Sequence, residues 1–329
     1  MQMLRHDWKQ EEIRAIHDTP LLDLIFKAAK CHRQYFDGST VQVSELVSVK
    51  TGGCPEDCAY CPQSARYHTD INASPTMQVA EVVDIAKTAK RQGVSRICLG
   101  AAWREVKEGR DFDNILNMVK EITSMDMEVC CTLGMLDETQ ATKLKEAGLY
   151  AYNHNVDTGE GYYSKIIKTR EYRDRLNTLQ NVRKAKIQIC CGGIIGMGES
   201  IDDRMEMLET LSNLNPHPES IPINTLVAVA GTPLEKKESA EIWELLRMIA
   251  TARLIMPRSF VRLSAGRMNM STSGQALCFL SGANSIFSGD KLLTTPNPQR
   301  SSDKEMFRIL GLKESKPFEE AIRNVHTQV

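Results

Sequence analysis

Eight strand-like runs alternate with helical patterns along this chain, and that alternation limits the possible folds severely. The runs fall at 43–49, 94–99, 127–133, 149–155, 187–191, 221–229, 260–263 and 284–287. Each gap can hold a crossover helix, which parallel neighbours in a sheet require. One helical stretch carries Val79, Val82, Val83, Ala86 and Ala89 on one face and stops at Gly93, a good residue for ending a helix. Another opens on Asp137-Glu138-Thr139-Gln140, a capping-box-like start, and closes at Gly148. Later helices repeat the pattern with Tyr172, Leu176, Leu179 and Val182, with Ile201, Met205, Leu208 and Leu211, and with Ile242, Leu245, Leu246 and Ile249. This predicts an α/β fold, a (β/α)8 TIM-type barrel. An open doubly wound sheet is the rival, but the pattern shows no topological switch point. Helical stretches near 9–16 and 21–35 make residues 1–36 an N-terminal helical extension. Residues 37–291 then form the barrel, and 292–329 a C-terminal tail packing on it.

Composition narrows the function. The 41 Lys+Arg and 42 Asp+Glu leave a net charge of −1, which gives no global attraction to nucleic acid or anionic membranes. No apolar run approaches the length of a membrane span, and the polar start of the chain lacks the apolar core of a secretory signal. The expectation is a cytoplasmic protein with no nucleic-acid or membrane partner. Ten cysteines are then unusual, because a reducing compartment keeps thiols as packing groups, redox groups or metal ligands.

Three of the ten stand together in Thr51-Gly52-Gly53-Cys54-Pro55-Glu56-Asp57-Cys58-Ala59-Tyr60-Cys61-Pro62. Cys54, Cys58 and Cys61 follow the first strand directly, at the barrel end where active sites are built. Thiolates are the ligands of iron–sulfur clusters, and three of them on a 4Fe–4S cube leave one iron open. Gly52 and Gly53 permit a tight backbone path. The competing reading is a structural zinc site completed by His68.

The C-x3-C-x2-C spacing, with Tyr60 before the third cysteine, is the signature of the radical S-adenosylmethionine superfamily. Over nearly its whole length the chain resembles the biotin synthase family. The resemblance is carried by Gly100-Ala101-Ala102-Trp103-Arg104, Tyr152-Asn153-His154-Asn155-Val156-Asp157-Thr158 and Gly192-Gly193-Ile194-Ile195-Gly196-Met197-Gly198-Glu199. Pro222-Ile223-Asn224, Val261-Arg262-Leu263-Ser264-Ala265-Gly266-Arg267 and the segment from Gly282 to Thr295 extend it. It implies radical insertion of sulfur into dethiobiotin to form biotin, with S-adenosylmethionine, a 4Fe–4S cluster and a sulfur-donating 2Fe–2S cluster. It also implies a flavodoxin- or ferredoxin-type electron donor and a homodimer.

By the same resemblance the inner cluster is held by Cys98, Cys130, Cys190 and Arg262, which the strand reading places on four different barrel strands. The pairs Cys130-Cys131 and Cys190-Cys191 leave a choice, since adjacent strand residues face opposite sides. Strand pattern alone does not make it; the resemblance selects the first of each pair. Cys31, Cys131, Cys191 and Cys278 are then packing residues. Arg262 is an unusual ligand, because a guanidinium normally stays protonated, and an ion pair or hydrogen bond inside the barrel is its plainer role.

Polar residues at the end of a barrel strand read as site residues. The resemblance places Tyr60, Asn155, Asp157 and Ile194 at the adenosylmethionine, and Asn153, Asn155 and Asn224 near dethiobiotin. His154, between the two asparagines, reads as structural. The glycines near Ile194 also suit a plain turn into a helix capped by Ser200. No paired-carboxylate or Ser/His/Asp pattern marks an acid–base catalyst, which fits cluster and radical chemistry. Two alternatives stand: another radical enzyme on the same barrel, or a zinc-bearing binding protein. A lipoyl-synthase-like enzyme is disfavoured because the N-terminal segment has no further three-cysteine motif.

Overall fold

The computed structural model describes residues 4–318. Helices α1 (Gln10–His17) and α2 (Leu21–Tyr35) precede β1 (Thr40–Lys50). Then follow α3 (Val79–Arg91), β2 (Arg96–Ala101), α4 (Arg110–Thr123), β3 (Glu128–Thr132), α5 (Glu138–Glu146) and β4 (Ala151–Asn153). After α6 (Glu160–Ile166) and α7 (Tyr172–Lys184) come β5 (Gln188–Cys190), β6 (Gly193–Ile195), α8 (Ile201–Ser212) and β7 (Ser220–Thr225). The circuit ends with α9 (Ile242–Ile255), β8 (Phe260–Leu263), α10 (Thr272–Leu280) and β9 (Ser285–Ser288).

All neighbours around this circuit are parallel, and β9 pairs back onto β1 through Gln42 and Ser285. The sheet is therefore a closed barrel, as the alternation predicts. Strands β5 and β6 are one stave in two pieces. Cys190 pairs with Ser220 and Gly193 with Ile223, so the register on β7 runs through the interruption unchanged. Counted this way the barrel has the expected eight staves.

Local chemistry explains the ends of the helices. Asp137 accepts from the Gln140 N–H at 2.8 Å and Ser200 from the Asp203 N–H at 3.1 Å, so both expected N-caps form. Gly93 takes the left-handed conformation just past α3, where a side chain would be strained. The sequence reading passed over α4, although Phe112, Ile115, Met118, Val119 and Ile122 give it a fully buried face. It also extended the sixth stave to Val229; pairing stops at Thr225, and Val227 and Val229 line a cavity instead.

Outward-facing strand residues such as Ile97, Leu99, Val129 and Cys131 join the helices in the main apolar core. The lumen is different. Toward the N-terminal ends of the staves it is filled by Gln42, Ser44, Arg96, Glu128, Arg262 and Ser285, all buried and hydrogen-bonded. Such a network is stable only because every charged member has a partner.

Helix α2 packs Leu24 and Ala28 against Ala250 of α9. Beyond β9, the hairpin β10 (Lys291–Leu292) and β11 (Thr295–Pro296) precedes α11 (Arg300–Leu310) and β12 (Lys313–Glu314), which adds to the start of β1. The remainder of the expected tail lies outside the described residues. Among the described residues, no helix is long and apolar enough to cross a membrane.

Candidate active site

The C-terminal ends of the staves surround a cavity of about 320 Å³, within the range that small-molecule ligands occupy. Cys54, Cys58 and Cys61 line one wall on the loop 51–62 that follows β1. This loop can turn sharply because Gly52 and Gly53 have φ of 66° and 69°, a region that side chains avoid. Gln63 pins it from behind. Its side chain accepts the Gly52 N–H at 3.1 Å and its carbonyl accepts the Cys54 N–H at 3.0 Å. Burial pushes the Cys58 thiol up to about 12 and the Cys61 thiol up to about 11. Metal ligation would displace these protons, because the thiolate is the ligand.

The two acids inside the cysteine motif were read only as loop residues, and they turn out to anchor it. Glu56 is buried; it accepts from Arg104 at 2.8 Å and from the Thr169 hydroxyl. Asp57 accepts the Lys168 and Thr169 N–H groups at 2.9 and 3.0 Å. The thiol loop is thus bolted to the connection between α6 and α7, more than a hundred residues away, a pairing that no local pattern announces. Glu56→Ala is expected to make Cys54, Cys58 and Cys61 of the metal-free protein at least about tenfold more reactive toward a thiol reagent, as loss of a charge-assisted bond implies. Cys98, Cys130 and Cys190 serve as the internal control. Equal acceleration of all six would mean general loosening and would refute the bolt.

Those three control thiols form a second group, deeper in the lumen. Cys98, Cys130 and Cys190 share one buried cluster with Ala151 and Phe287, whereas Cys131 and Cys191 belong to the apolar core outside the barrel. Backbone geometry thereby makes the choice that strand pattern left open. Contact with Cys130 draws the Cys98 and Cys190 thiols down, and the same contacts push the Cys130 thiol up. Arg262 favours the same ionisation. Its Nη1 lies 3.8 Å from the Cys190 sulfur while its other nitrogens donate to Gln42, Ser44 and Ser285. A guanidinium held this way beside soft sulfur ligands fits a site for a sulfur-rich inorganic group.

Among the described residues, no three His, Cys, Asp or Glu side chains gather tightly enough to hold a single metal ion. The zinc site completed by His68 therefore has no support. A larger iron–sulfur group is bound from thiols that stand further apart, so both triads fit one by donor chemistry.

The remaining expected site residues all line the cavity: Tyr60, Asn153, Asn155, Asp157, Ile194 and Asn224. Several are already engaged by the protein. Asn153 accepts from Thr132 and donates to the Cys190 sulfur at 3.2 Å, and Asn155 accepts the Gly192 N–H at 3.1 Å. Asn224 donates to the Gly193 carbonyl and accepts from the Ala265 N–H. Each amide keeps spare hydrogen-bonding capacity for a ligand. Asp157, at a φ of 69°, accepts from Arg175. His154 is buried behind the strand end and also reaches the cavity wall. Arg170 and Arg175 line the cavity as well, and the sequence reading missed both.

A barrel with a three-thiol loop after its first strand and a substrate-sized cavity beside it is the arrangement of the radical S-adenosylmethionine enzymes. Residues 48–211 match the model of the radical SAM superfamily, and 222–313 match that of the biotin and thiamin synthesis associated domain. Among solved structures, methylornithine synthase superposes with a TM-score of 0.78 at 20% identity, covering 94% of each chain. The FeFe-hydrogenase maturase HydG from Carboxydothermus hydrogenoformans gives 0.78 at 16%, covering 94% of this chain and 76% of its own. These share the fold. The biotin synthase of Flavobacterium psychrophilum is 60% identical over 97% of this chain and 88% of its own. That of Nostoc punctiforme is 59% identical over 94% and 93%, and the mitochondrial enzyme of Arabidopsis thaliana 56% over 94% and 82%. The chain belongs to the biotin synthase family, and it is a radical enzyme that inserts sulfur.

Proposed function

We propose that Cys54, Cys58 and Cys61 hold a 4Fe–4S cluster and that Cys98, Cys130, Cys190 and Arg262 hold a 2Fe–2S cluster, the source of the sulfur placed in dethiobiotin. The observation that carries this reading is a single cavity onto which open both the loop triad and, from the lumen group, Cys98, Cys130 and Arg262, with Cys190 packed beside them. When bound, these clusters supply the electron that cleaves adenosylmethionine and the sulfur that completes the ring.

The protein's own residues position and shield. Asn155 and Asp157 present acceptors for ribose hydroxyls, Tyr60 and Ile194 flank the nucleoside, and Asn153 and Asn224 face the ureido ring of dethiobiotin. The buried lumen keeps water from a reactive carbon radical. A low-potential flavodoxin- or ferredoxin-type donor, a cytoplasmic location, a homodimer and the three-part division at residues 36 and 291 complete the proposal.

Iron, acid-labile sulfide and zinc counted per chain after anaerobic reconstitution test it. About six irons with matching sulfide are expected, four on the loop and two in the lumen. About four would leave the radical chemistry without its sulfur source. Stoichiometric zinc that survives iron and sulfide treatment would overturn the reading.

A further inference from the structure

The N-terminal mouth of the barrel is crossed by a strap of the chain itself. Residues 313–318, which follow α11, start beside β1, where the Lys313 N–H donates to Ser39 at 2.8 Å and the Ser315 N–H to Val41 at 2.9 Å. The strap then reaches the other side of the mouth. The Phe318 N–H donates to Glu128, at the start of β3, at 2.6 Å, and the Phe318 ring meets that of Tyr150, just before β4, edge-on at 5.3 Å. This attachment is light. Pairing with β1 covers two residues, and Phe318 is 42% exposed with a φ of 61°, a conformation that bulky side chains avoid.

Beneath the strap the lumen is polar, where barrels of this kind are ordinarily filled by branched apolar side chains. Glu128 accepts from Arg96 and Gln42, Gln42 accepts from Arg262, and Arg262 stands 3.8 Å from the Cys190 sulfur. One polar layer therefore lies between the strap and the inner thiols. At the opposite end Cys98, Cys130 and Arg262 open onto the cavity, which substrates fill on the functional reading above. On that same reading the inner site gives up sulfur and has to be refilled, and ions pass polar groups at less cost than apolar ones. We propose that the strap 313–318 is a gate, whose release from β1 and Glu128 opens a second entrance through which iron and sulfide reach Cys98, Cys130 and Cys190.

Two measurements on the full chain test the gate. Ser315→Pro removes the N–H given to Val41 and Phe318→Pro the one given to Glu128, singly and together. In metal-free protein, the rate at which iodoacetamide labels each cysteine is read by mass spectrometry. The double variant is expected to label Cys98, Cys130 and Cys190 at least about tenfold faster than wild type, the protection that a few net hydrogen bonds supply. Cys54, Cys58 and Cys61 should label at the wild-type rate. Cys131 and Cys191, in the apolar core outside the staves, report any general loosening. In iron-loaded protein, with adenosylmethionine and dethiobiotin present and no reductant, exchange of radiolabelled sulfide into the inner cluster should quicken to a similar degree.

Unchanged labelling of the inner thiols would overturn the proposal. So would equal acceleration of Cys131 and Cys191, since the strap would then be scaffold. Faster labelling with unchanged sulfide exchange would overturn it too, because the mouth would leak without serving as an entrance. Wild-type protein that takes up about four irons instead of six would overturn the functional reading and leave the labelling result standing.

Discussion

Cys54→Ala will abolish reductive cleavage of adenosylmethionine, whereas Cys190→Ala will lose biotin formation while part of the cleavage survives. The separation follows from how the two triads are held. The loop carrying Cys54 hangs on Gln63, Glu56 and Asp57, and none of these touches the lumen thiols. Cys190 stands on a stave, within reach of Asn153 and Arg262. Its removal deletes one buried sulfur but leaves Arg262 held by Gln42, Ser44 and Ser285. The barrel around the cavity therefore persists, at a cost of about 1 kcal/mol for a small buried truncation. At the loop, by contrast, one of only three thiols is gone. Methionine and 5′-deoxyadenosine released per chain report cleavage, and biotin per chain reports sulfur insertion. Equal loss of cleavage in both variants would refute the division of labour.

What the sequence disclosed and what it withheld have physical causes. Period-two and helical patterning exposed the barrel because each stave and helix must bury one face, and that requirement is written locally. Helix α4 shows that the same signal was present where it was not read. The stave interrupted between β5 and β6 resisted reading, because Gly192 and Gly193 carry no side chain to mark a face. The cysteine motif was legible since its spacing is itself the chemistry. The inner thiols were legible only through the family resemblance, because by residue pattern each is an ordinary buried cysteine until barrel closure brings Cys98, Cys130 and Cys190 together. Glu56 and Arg170 lay further out of reach. A buried acid and a buried arginine in loops look like surface charge until their surroundings are seen in three dimensions.

Gly192→Ala is expected to destabilise the fold by about 3 kcal/mol or more, the cost of overpacking a site that cannot yield. A Cβ at this position would stand 2.0 Å from the Pro222 carbonyl oxygen of the adjacent stave, well inside van der Waals contact. The clash is backbone against backbone, so no rotamer relieves it. Relaxation would have to move Gly192, whose N–H donates to Asn155 and whose carbonyl accepts from Val156 and Asp157. Pro222 leads into Asn224, so the strain would spread through the cavity-lining polar residues on both staves. Gly274→Ala in α10 is the matched control: its nearest contact would be 3.4 Å from the Ser271 hydroxyl, and alanine there favours the helix by up to about 1 kcal/mol. Denaturant midpoints of the two metal-free variants against wild type decide the matter. A Gly192→Ala protein with an unchanged midpoint would mean that the close approach of these staves is not what holds Asn155 and Asp157 in place.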